Sequence, residues 1–413
     1  MRPADPLLAG LSEEARRLQP RTVALRRALH RQPELGLTLP RTRDAVLAEL
    51  ADLPLQVHRG RAVTSVVAVL DGARPGPTVL LRADMAALPL QEETALPFRS
   101  QVDGAMHACG HDTHVAMLAT AARLLAVRRE QLAGRVVLMF QPGEEGFHGA
   151  RHMIEEGLLD RHGPGGRPAS AFALHISATL PSGEVHTRPG PIMAAADLVR
   201  VRVTGRGGHA SAPHDALDPV PAAAAMVGAL QTAVTRRVDA RDAAVLTIAK
   251  IVAGTTNNVI PETATMEGTL RTLAEPVRTL LHEEIRRVCR HTALAYGCGA
   301  AVEITPGYPV TVNDEAAARR ASEVAAEVLG RNRVSAMPSP IMGAEDFSYV
   351  LARVPGALAF LGACPPRVDP ATAPPNHSNR VVFDEAALAA GAALYAALAL
   401  DAGRGTPADR RAG

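Results

Sequence analysis

Apolar positions along this chain follow two periodicities, which alternate. Short β-branched runs, "TSVVAVL" (64–70), "TVLLRAD" (78–84), "RVVLMFQ" (135–141) and "SAFALHIS" (170–177), predict strands. Longer stretches with helical spacing lie between them, "THVAMLATAARLLAV" (113–127) and "GARHMIEEGLL" (149–159). Residues 21–50 predict two amphipathic helices separated by a turn around Pro33–Pro40. This rhythm predicts an α/β fold with a mostly parallel central sheet and helices on both faces.

Near residue 197 the pattern changes. "DLVRVRVTG" (197–205) alternates like a half-exposed strand, and "DPVPAAAAMVGALQTAV" (218–234) reads as a helix with Pro in its first turn. Strands over 243–252 and 262–272, a helix over 275–296 and a strand over 300–307 follow. In order this is β-α-β-β-α-β, a ferredoxin-like unit. A helix over 314–330 and a strand over 356–362 then resume the first pattern. The expected organisation is a discontinuous domain, 1–195 and 308–413, with a smaller domain inserted at 196–307.

Composition narrows the function. The 413 residues carry a net charge of +2 and only 3% aromatics, with no Trp. Neither an electrostatic footprint nor a stacking platform for nucleic acid is present, and nothing marks a membrane surface. The apolar run "AALAAGAALYAALAL" (386–400) is short and Ala-rich for a membrane span, so a buried helix is expected. The N-terminus lacks the apolar stretch of a signal peptide. The four cysteines, 109, 289, 298 and 364, have no regular spacing, so reduced thiols in a cytoplasmic protein are expected. The tail after Asp401 reads as frayed.

Candidate chemistry concentrates at strand ends, because ligands of open α/β sheets bind beyond the carboxyl ends of the strands. Asp84 ends one strand, Glu144 and Glu145 follow another, and His175 lies near the end of a third. "MHACGHDTH" (106–114) presents Cys109 and His111 just before a helix, with His107 and His114 flanking them, and "PPNHSNR" (374–380) presents His377. Alone, each residue has an ordinary structural reading; together, a thiolate, imidazoles and a carboxylate at one sheet edge would suit a borderline divalent ion. Of two adjacent glutamates, one can bind an ion while the other moves a proton between attacking water and leaving amine. An amide is the natural target. Cys109 as a nucleophile, without metal, is the alternative within the same residues.

Eight blocks in order carry a resemblance: "RADMAALP", "MHACGHDTH", "QPGEEG", "GRGGHASAPH", "GTTNNVIP", "GTLRT", "MGAEDFS" and "VPGALAFLG". Over nearly the whole chain it resembles the di-metal amidohydrolases that cleave N-acyl amino acids, the hippurate hydrolases, aminoacylases and indole-acetyl-amino-acid hydrolases. The resemblance implies metal ligands Cys109, His111, Glu145, His175 and His377, and Glu144 as general acid/base. It implies two divalent ions per subunit, Zn²⁺ or Mn²⁺, with Co²⁺ or Ni²⁺ as further candidates. It makes His209 an oxyanion-binding group, offered within a homodimer to the partner's site, and Asn258 and Arg271 holders of a substrate carboxylate. The inserted domain becomes a lid and dimerisation domain, and the loop 343–347 borders the substrate pocket. The chain departs from the family pattern at Ala86, where a second Asp is usual, and at Leu39, where a Glu is usual. Two further readings are a dipeptidase or carboxypeptidase of the same superfamily and a non-catalytic metal- or ligand-binding scaffold, for which Ala86 is the support.

Overall fold

The computed structural model describes residues 5–160 and 167–403. The frayed tail expected after Asp401 falls almost wholly outside them. The chain forms two compact units, one of residues 1–192, 312–339 and 349–413 and the other of residues 193–311 and 340–348. The insertion expected at 196–307 corresponds to the stretch 193–311 of the smaller unit. The segment 340–348, expected with the larger domain, packs with the smaller unit: the Ala194 amide donates to the Gly343 carbonyl at 2.8 Å.

The larger unit is built on an eight-stranded sheet. Across it the strands run Gln56–Arg59, Val66–Asp71, Ala133–Gln141, Arg74–Asp84, Ser170–Pro181, Gly356–Cys364, Val185–Thr187 and Val334–Ala336. The four central strands are mutually parallel, and antiparallel pairs flank them. Strand Arg74–Asp84 is followed in sequence by its neighbour on one side, Ala133–Gln141. The next strand, Ser170–Pro181, lies on its other side. The seam between Arg74–Asp84 and Ser170–Pro181 is therefore the topological switch point, where such sheets place their ligands.

That seam opens partway. The ladder pairs Val79 with Ser170 through to Arg82 with Ala173, and stops, although both strands continue, to Asp84 and Pro181. On their outer sides they stay paired, Asp84 with Gln141 and Ser177 with Gly362. At the fork the Tyr395 hydroxyl accepts from the Leu174 amide at 2.9 Å and donates to the Arg82 carbonyl at 2.6 Å. It takes the place of one rung, so neither backbone group is left unpaired in the interior.

Helices Leu11–Arg31, His111–Val127, Glu315–Leu329 and Leu388–Ala402 pack on one another beside this sheet. The first begins ten residues earlier than its sequence pattern predicts and runs through Pro20. Leu11 and Ala15, both wholly buried, anchor that extra length, so core burial outweighs the cost of proline inside a helix. Leu388–Ala402 is apolar on every side because almost all of it is buried, as expected for 386–400. It crosses His111–Val127 at Gly391, where a Cβ would lie 2.1 Å from Met117 Sδ and 2.9 Å from Leu361 Cδ2.

The smaller unit has a four-stranded antiparallel sheet in the spatial order Ala244–Ala253, Thr263–Thr272, Ala195–Thr204, Gly299–Pro306. Helices Pro219–Arg237 and Glu275–Ala295 connect it. Numbered along the chain the strand order is 2-3-1-4, the ferredoxin-like arrangement read from the sequence. The alternation in Ala195–Thr204 is realised residue by residue, with Val199, Val201 and Val203 buried and Arg200 and Arg202 exposed.

Gly391→Ala tests the helix crossing. Alanine favours a helix by about 1 kcal/mol, but overpacking this contact costs about 1–3 kcal/mol. A net loss of stability is expected in urea denaturation, and a gain would show that the crossing is loose.

Candidate metal centre

Cys109 and His111 reach the mouth of the seam because Gly110 turns the chain between them. Gly110 adopts φ +84°, precedes helix His111–Val127, and leaves no room for a side chain: a Cβ would meet Ile176 Cγ2 at 2.3 Å. Glu144 and Glu145 lie in the turn after strand Ala133–Gln141. His175 lies on strand Ser170–Pro181. His377 is held at φ +72°, a conformation costing a residue with a Cβ about 1–2 kcal/mol. Its amide donates to the Ala108 carbonyl at 2.9 Å. The preceding Asn376 donates to the carbonyls of Cys109 (3.2 Å) and Ile176 (2.9 Å) and accepts from the Ala178 amide (3.1 Å). Asn376 thus stitches three site segments together, and sequence reading passed over it.

The five expected ligands converge. The ligating atoms of Cys109, His111 and His175 lie within 4.8 Å of one another, as do those of Cys109, Glu145 and His377, and those of His111, Glu144 and Glu145. Cys109 is common to the first two groups, so it joins two overlapping donor sets. Its Sγ lies 3.4 Å from His175 Nε2, and His377 Nε2 lies 3.2 Å from Glu145 Oε1.

The imidazoles are oriented as ligands. His111 Nδ1 bonds the Ala86 carbonyl at 2.6 Å, and His175 Nδ1 bonds the Ile176 carbonyl at 2.8 Å. A carbonyl only accepts, so each Nδ1 carries a proton, and in the neutral ring Nε2 presents a lone pair, the usual outer support of a metal-bound histidine. Burial, with His114 beside it, pushes His175 down to about 3 and keeps it neutral. His111 Nε2 faces Asp84 Oδ2 at 3.1 Å and Glu145 Oε1 at 3.9 Å. All three atoms are buried without a hydrogen-bond partner, with Arg82 Nη1 3.2 Å from Asp84 Oδ2 and His377 Nε2 3.2 Å from Glu145 Oε1. Buried lone pairs that face one another cost free energy unless a positive charge lies among them. The donor set therefore fits a divalent cation.

This geometry bears on Ala86. Position 86 supports His111 through its backbone carbonyl, a contact that alanine makes without the Asp side chain usual there. Burial, together with Glu145 and Glu144, pushes the Cys109 thiol well up. A neutral buried thiol among carboxylates is a poor nucleophile, which counts against a cysteine hydrolase.

His114, expected only to flank the site, is wholly buried inside it. Its Nε2 accepts from the Ile176 amide at 2.7 Å, so its Nδ1 carries the proton given to Asp84 Oδ1 at 2.5 Å. With both nitrogens committed, His114 is not a ligand. Burial opposes a charge on Asp84, but the Arg82 guanidinium at 3.2 Å and the His114 hydrogen bond outweigh it and hold its carboxyl well below the usual range.

Behind His111, Asp112 is buried in the first turn of its helix. Its Oδ2 accepts from Arg26 Nε at 2.7 Å and lies 2.9 Å from His30 Nδ1. Burial alone would raise the Asp112 carboxyl; Arg26 and His30 hold it well below the usual range instead. Burial opposes a charge on His30, but Asp112 and Glu92 outweigh it and raise its pKa.

Three expected residues lie in the smaller unit. His209 pairs in register with Val259, next to Asn258, and the Asn258 carbonyl accepts from the Ala210 amide at 3.1 Å. His209 Nδ1 accepts from the Ser211 amide at 3.1 Å, leaving Nε2–H as an exposed donor. Arg271 is elsewhere: it lies eight residues along its strand from Thr263, which pairs with Thr204 at the end leading to His209. At about 3.3 Å per residue this separates the two ends by roughly 26 Å.

Known proteins share this architecture. Residues 80–401 match the model of peptidase family M20/M25/M40. The chain is 37% identical to thermostable carboxypeptidase 1 of Saccharolobus solfataricus, over 95% of this chain and 98% of that protein. It is 38% identical to N-acetylcysteine deacetylase of Bacillus subtilis, over 83% of this chain and 88% of that protein. The crystal structure of the YXEP protein of Bacillus subtilis, described as a dinuclear metal-binding peptidase from the M20 family, superposes with a TM-score of 0.82 at 32% identity, covering 95% of this chain and 99% of that one.

Removing Arg26 tests the buried charges behind His111. Arg26→Ala leaves Asp112 short of its main counter-charge and is expected to cost about 3–5 kcal/mol. The network's contribution also depends on pH. Asp112, depressed in the fold, loses its share as pH falls below about 4; His30, raised in the fold, loses its share as pH rises above about 6.5. Denaturation midpoints between pH 3 and 9 check both limbs, and a flat Arg26→Ala difference across that range would contradict the assignment.

Proposed function

The chain belongs to peptidase family M20/M25/M40, whose members here hydrolyse amide bonds, and we propose that its substrate is an N-acyl amino acid, hippurate-like or N-acetylated, cleaved to a carboxylic acid and a free amino acid. The observation that carries the metal-dependent reading is the pair of Nε2 lone pairs on His111 and His175, each fixed by a backbone carbonyl and aimed among Cys109, Glu145 and His377. We assign these five as ligands of two divalent ions, Zn²⁺ or Mn²⁺, with Co²⁺ or Ni²⁺ also suited to the donors. When bound, the ions would polarise the scissile carbonyl and ease deprotonation of water.

The protein side of the chemistry falls to named groups. Glu144, adjacent to the ligand Glu145, takes a proton from the attacking water. It returns that proton to the departing amine nitrogen as the C–N bond breaks. The exposed Nε2–H of His209 suits an oxyanion donor. Arg271 is half-buried, desolvation lowers its pKa, and no carboxylate pairs with it among the described residues, which suits a site for the substrate carboxylate. Asn258, beside His209, is assigned to the substrate as well. The separation of roughly 26 Å between the two ends of that sheet supports drawing His209 and Arg271 for one active site from two copies of the chain. Strand Ala244–Ala253 lies at the edge of its sheet with Ile251 51% and Val252 52% exposed, an unpaired edge suited to a second copy in a homodimer. The four cysteines are free and buried, which agrees with a cytoplasmic enzyme.

A second reading is favoured by the likeness to thermostable carboxypeptidase 1. The C-terminal residue of a peptide offers the same amide nitrogen and α-carboxylate. Hydrolysis rates on hippurate, N-acetyl amino acids and dipeptides separate the two: kcat/KM highest on a dipeptide would replace the N-acyl reading.

Glu144→Gln is expected to lower kcat by at least about 10² while elemental analysis still finds about two ions per chain; retained turnover would remove Glu144 from its role. A chelator should abolish activity, and added metal should restore it. Ile251→Lys at the sheet edge is expected to convert a dimer into monomer in sedimentation, with kcat/KM falling alongside. A wild type that sediments as a monomer would end the two-copy assignment.

A further inference from the structure

The fork in the central sheet has a second rung. Beyond the Tyr395 hydroxyl, the next strand amide on the inner side is that of Ile176, and it donates to His114 Nε2 at 2.7 Å instead of to the facing strand. The opposite edge of the same ring donates to Asp84 Oδ1 at 2.5 Å, at the end of that facing strand. The imidazole of His114 thus spans the gap between Arg74–Asp84 and Ser170–Pro181 where they diverge. Its ring centroid lies 4.9 Å from that of His175 and 5.4 Å from that of His111. It bonds the amide that follows His175, and the carboxylate whose other oxygen faces His111 Nε2.

We propose that His114 is a positioning residue: a wedge in the opened seam that sets the spacing and orientation of His111 and His175, and so the affinity of the site for its metal. The proposal rests on the metal-site reading above. It follows from the seam itself. Two strands that simply rezipped beyond Arg82 would close the space in which the ligands stand. Two strands that parted without a bridge would leave the Ile176 amide and an Asp84 oxygen unpaired in the interior. An imidazole is long enough to meet both. It offers one donor and one acceptor in the sense required, and it is flat enough to lie against the neighbouring rings. Tyr395 performs the same bridging one rung deeper, between the Leu174 amide and the Arg82 carbonyl, and so provides an internal control.

The test measures zinc affinity of the dialysed full-length protein by competition with a chromogenic chelator, alongside thermal stability of the metal-free form. His114→Phe keeps ring volume and removes both hydrogen bonds. It should weaken zinc binding at least about tenfold, as loss of an outer-sphere partner does. Tyr395→Phe should lower thermal stability and leave zinc affinity unchanged. His114→Gln, whose longer amide reaches the Ile176 amide, should recover part of the affinity. His114→Asn, which keeps the Asp84 contact but falls short of Ile176, should not. If His114→Phe does not fold, the Asn and Gln pair carries the test. Wild-type zinc affinity in His114→Phe or His114→Asn would overturn the proposal, and so would an equal loss in Tyr395→Phe, which would make the effect one of general stability. A wild type that binds no zinc, or that keeps its affinity in Cys109→Ser and His175→Ala, would instead refute the metal site on which the proposal stands.

Discussion

Desolvation of lone pairs is the constraint to which the rest of this structure answers. A thiol, several imidazoles and several carboxylates are withdrawn from water at the carboxyl edge of the central strands. Each donor and acceptor there needs a partner or costs free energy. Backbone carbonyls take the Nδ1 protons of His111 and His175. His114 takes up one oxygen of Asp84, and Asn376 ties the loops of Cys109 and His377 to the strand of His175. At the centre of the cluster, Asp84 Oδ2, His111 Nε2 and Glu145 Oε1 are left without a hydrogen-bond partner. Donor atoms turned toward one another in this way suit a cation.

The same constraint explains features that look unrelated to chemistry. The apolar helix Leu388–Ala402 carries one polar ring, and its hydroxyl replaces the rung that strands Arg74–Asp84 and Ser170–Pro181 lack. Glycine at 110 is required because the loop passes against Ile176, where a side chain would collide. Asp112 sits in the first turn of the His111 helix, where a carboxylate is favoured, and its charge is matched by Arg26 and His30 from the first long helix. That packing ties an N-terminal segment, remote in sequence, to the helix that begins at His111.

The hydrolytic reading joins two layers of different origin. The five proposed ligands and Glu144 lie on the larger unit, at the sheet edge. His209, Asn258 and Arg271 lie on the ferredoxin-like unit, at two well-separated places along its sheet.

Much of this was legible in the chain itself. Periodicity determined the alternating α/β rhythm, the 2-3-1-4 antiparallel unit and the burial of 386–400, because hydrophobic patterning is local and each element records which face it buries. Residue type at strand ends, in the segment before a helix and in one Pro-led loop singled out Glu144, Glu145, His175, Cys109, His111 and His377 as candidates, and the tertiary structure brings them together. Tertiary structure alone decided the roles of Ala86, His114, Asp84 and Asn376. A backbone carbonyl has no letter in a sequence, and whether an imidazole binds a metal or spans a gap depends on what meets its two nitrogens. It also decided that helix Leu11–Arg31 runs through Pro20 and that 340–348 joins the smaller unit. In both cases contacts distant in sequence outweigh the local signal, and no window along the chain contains them.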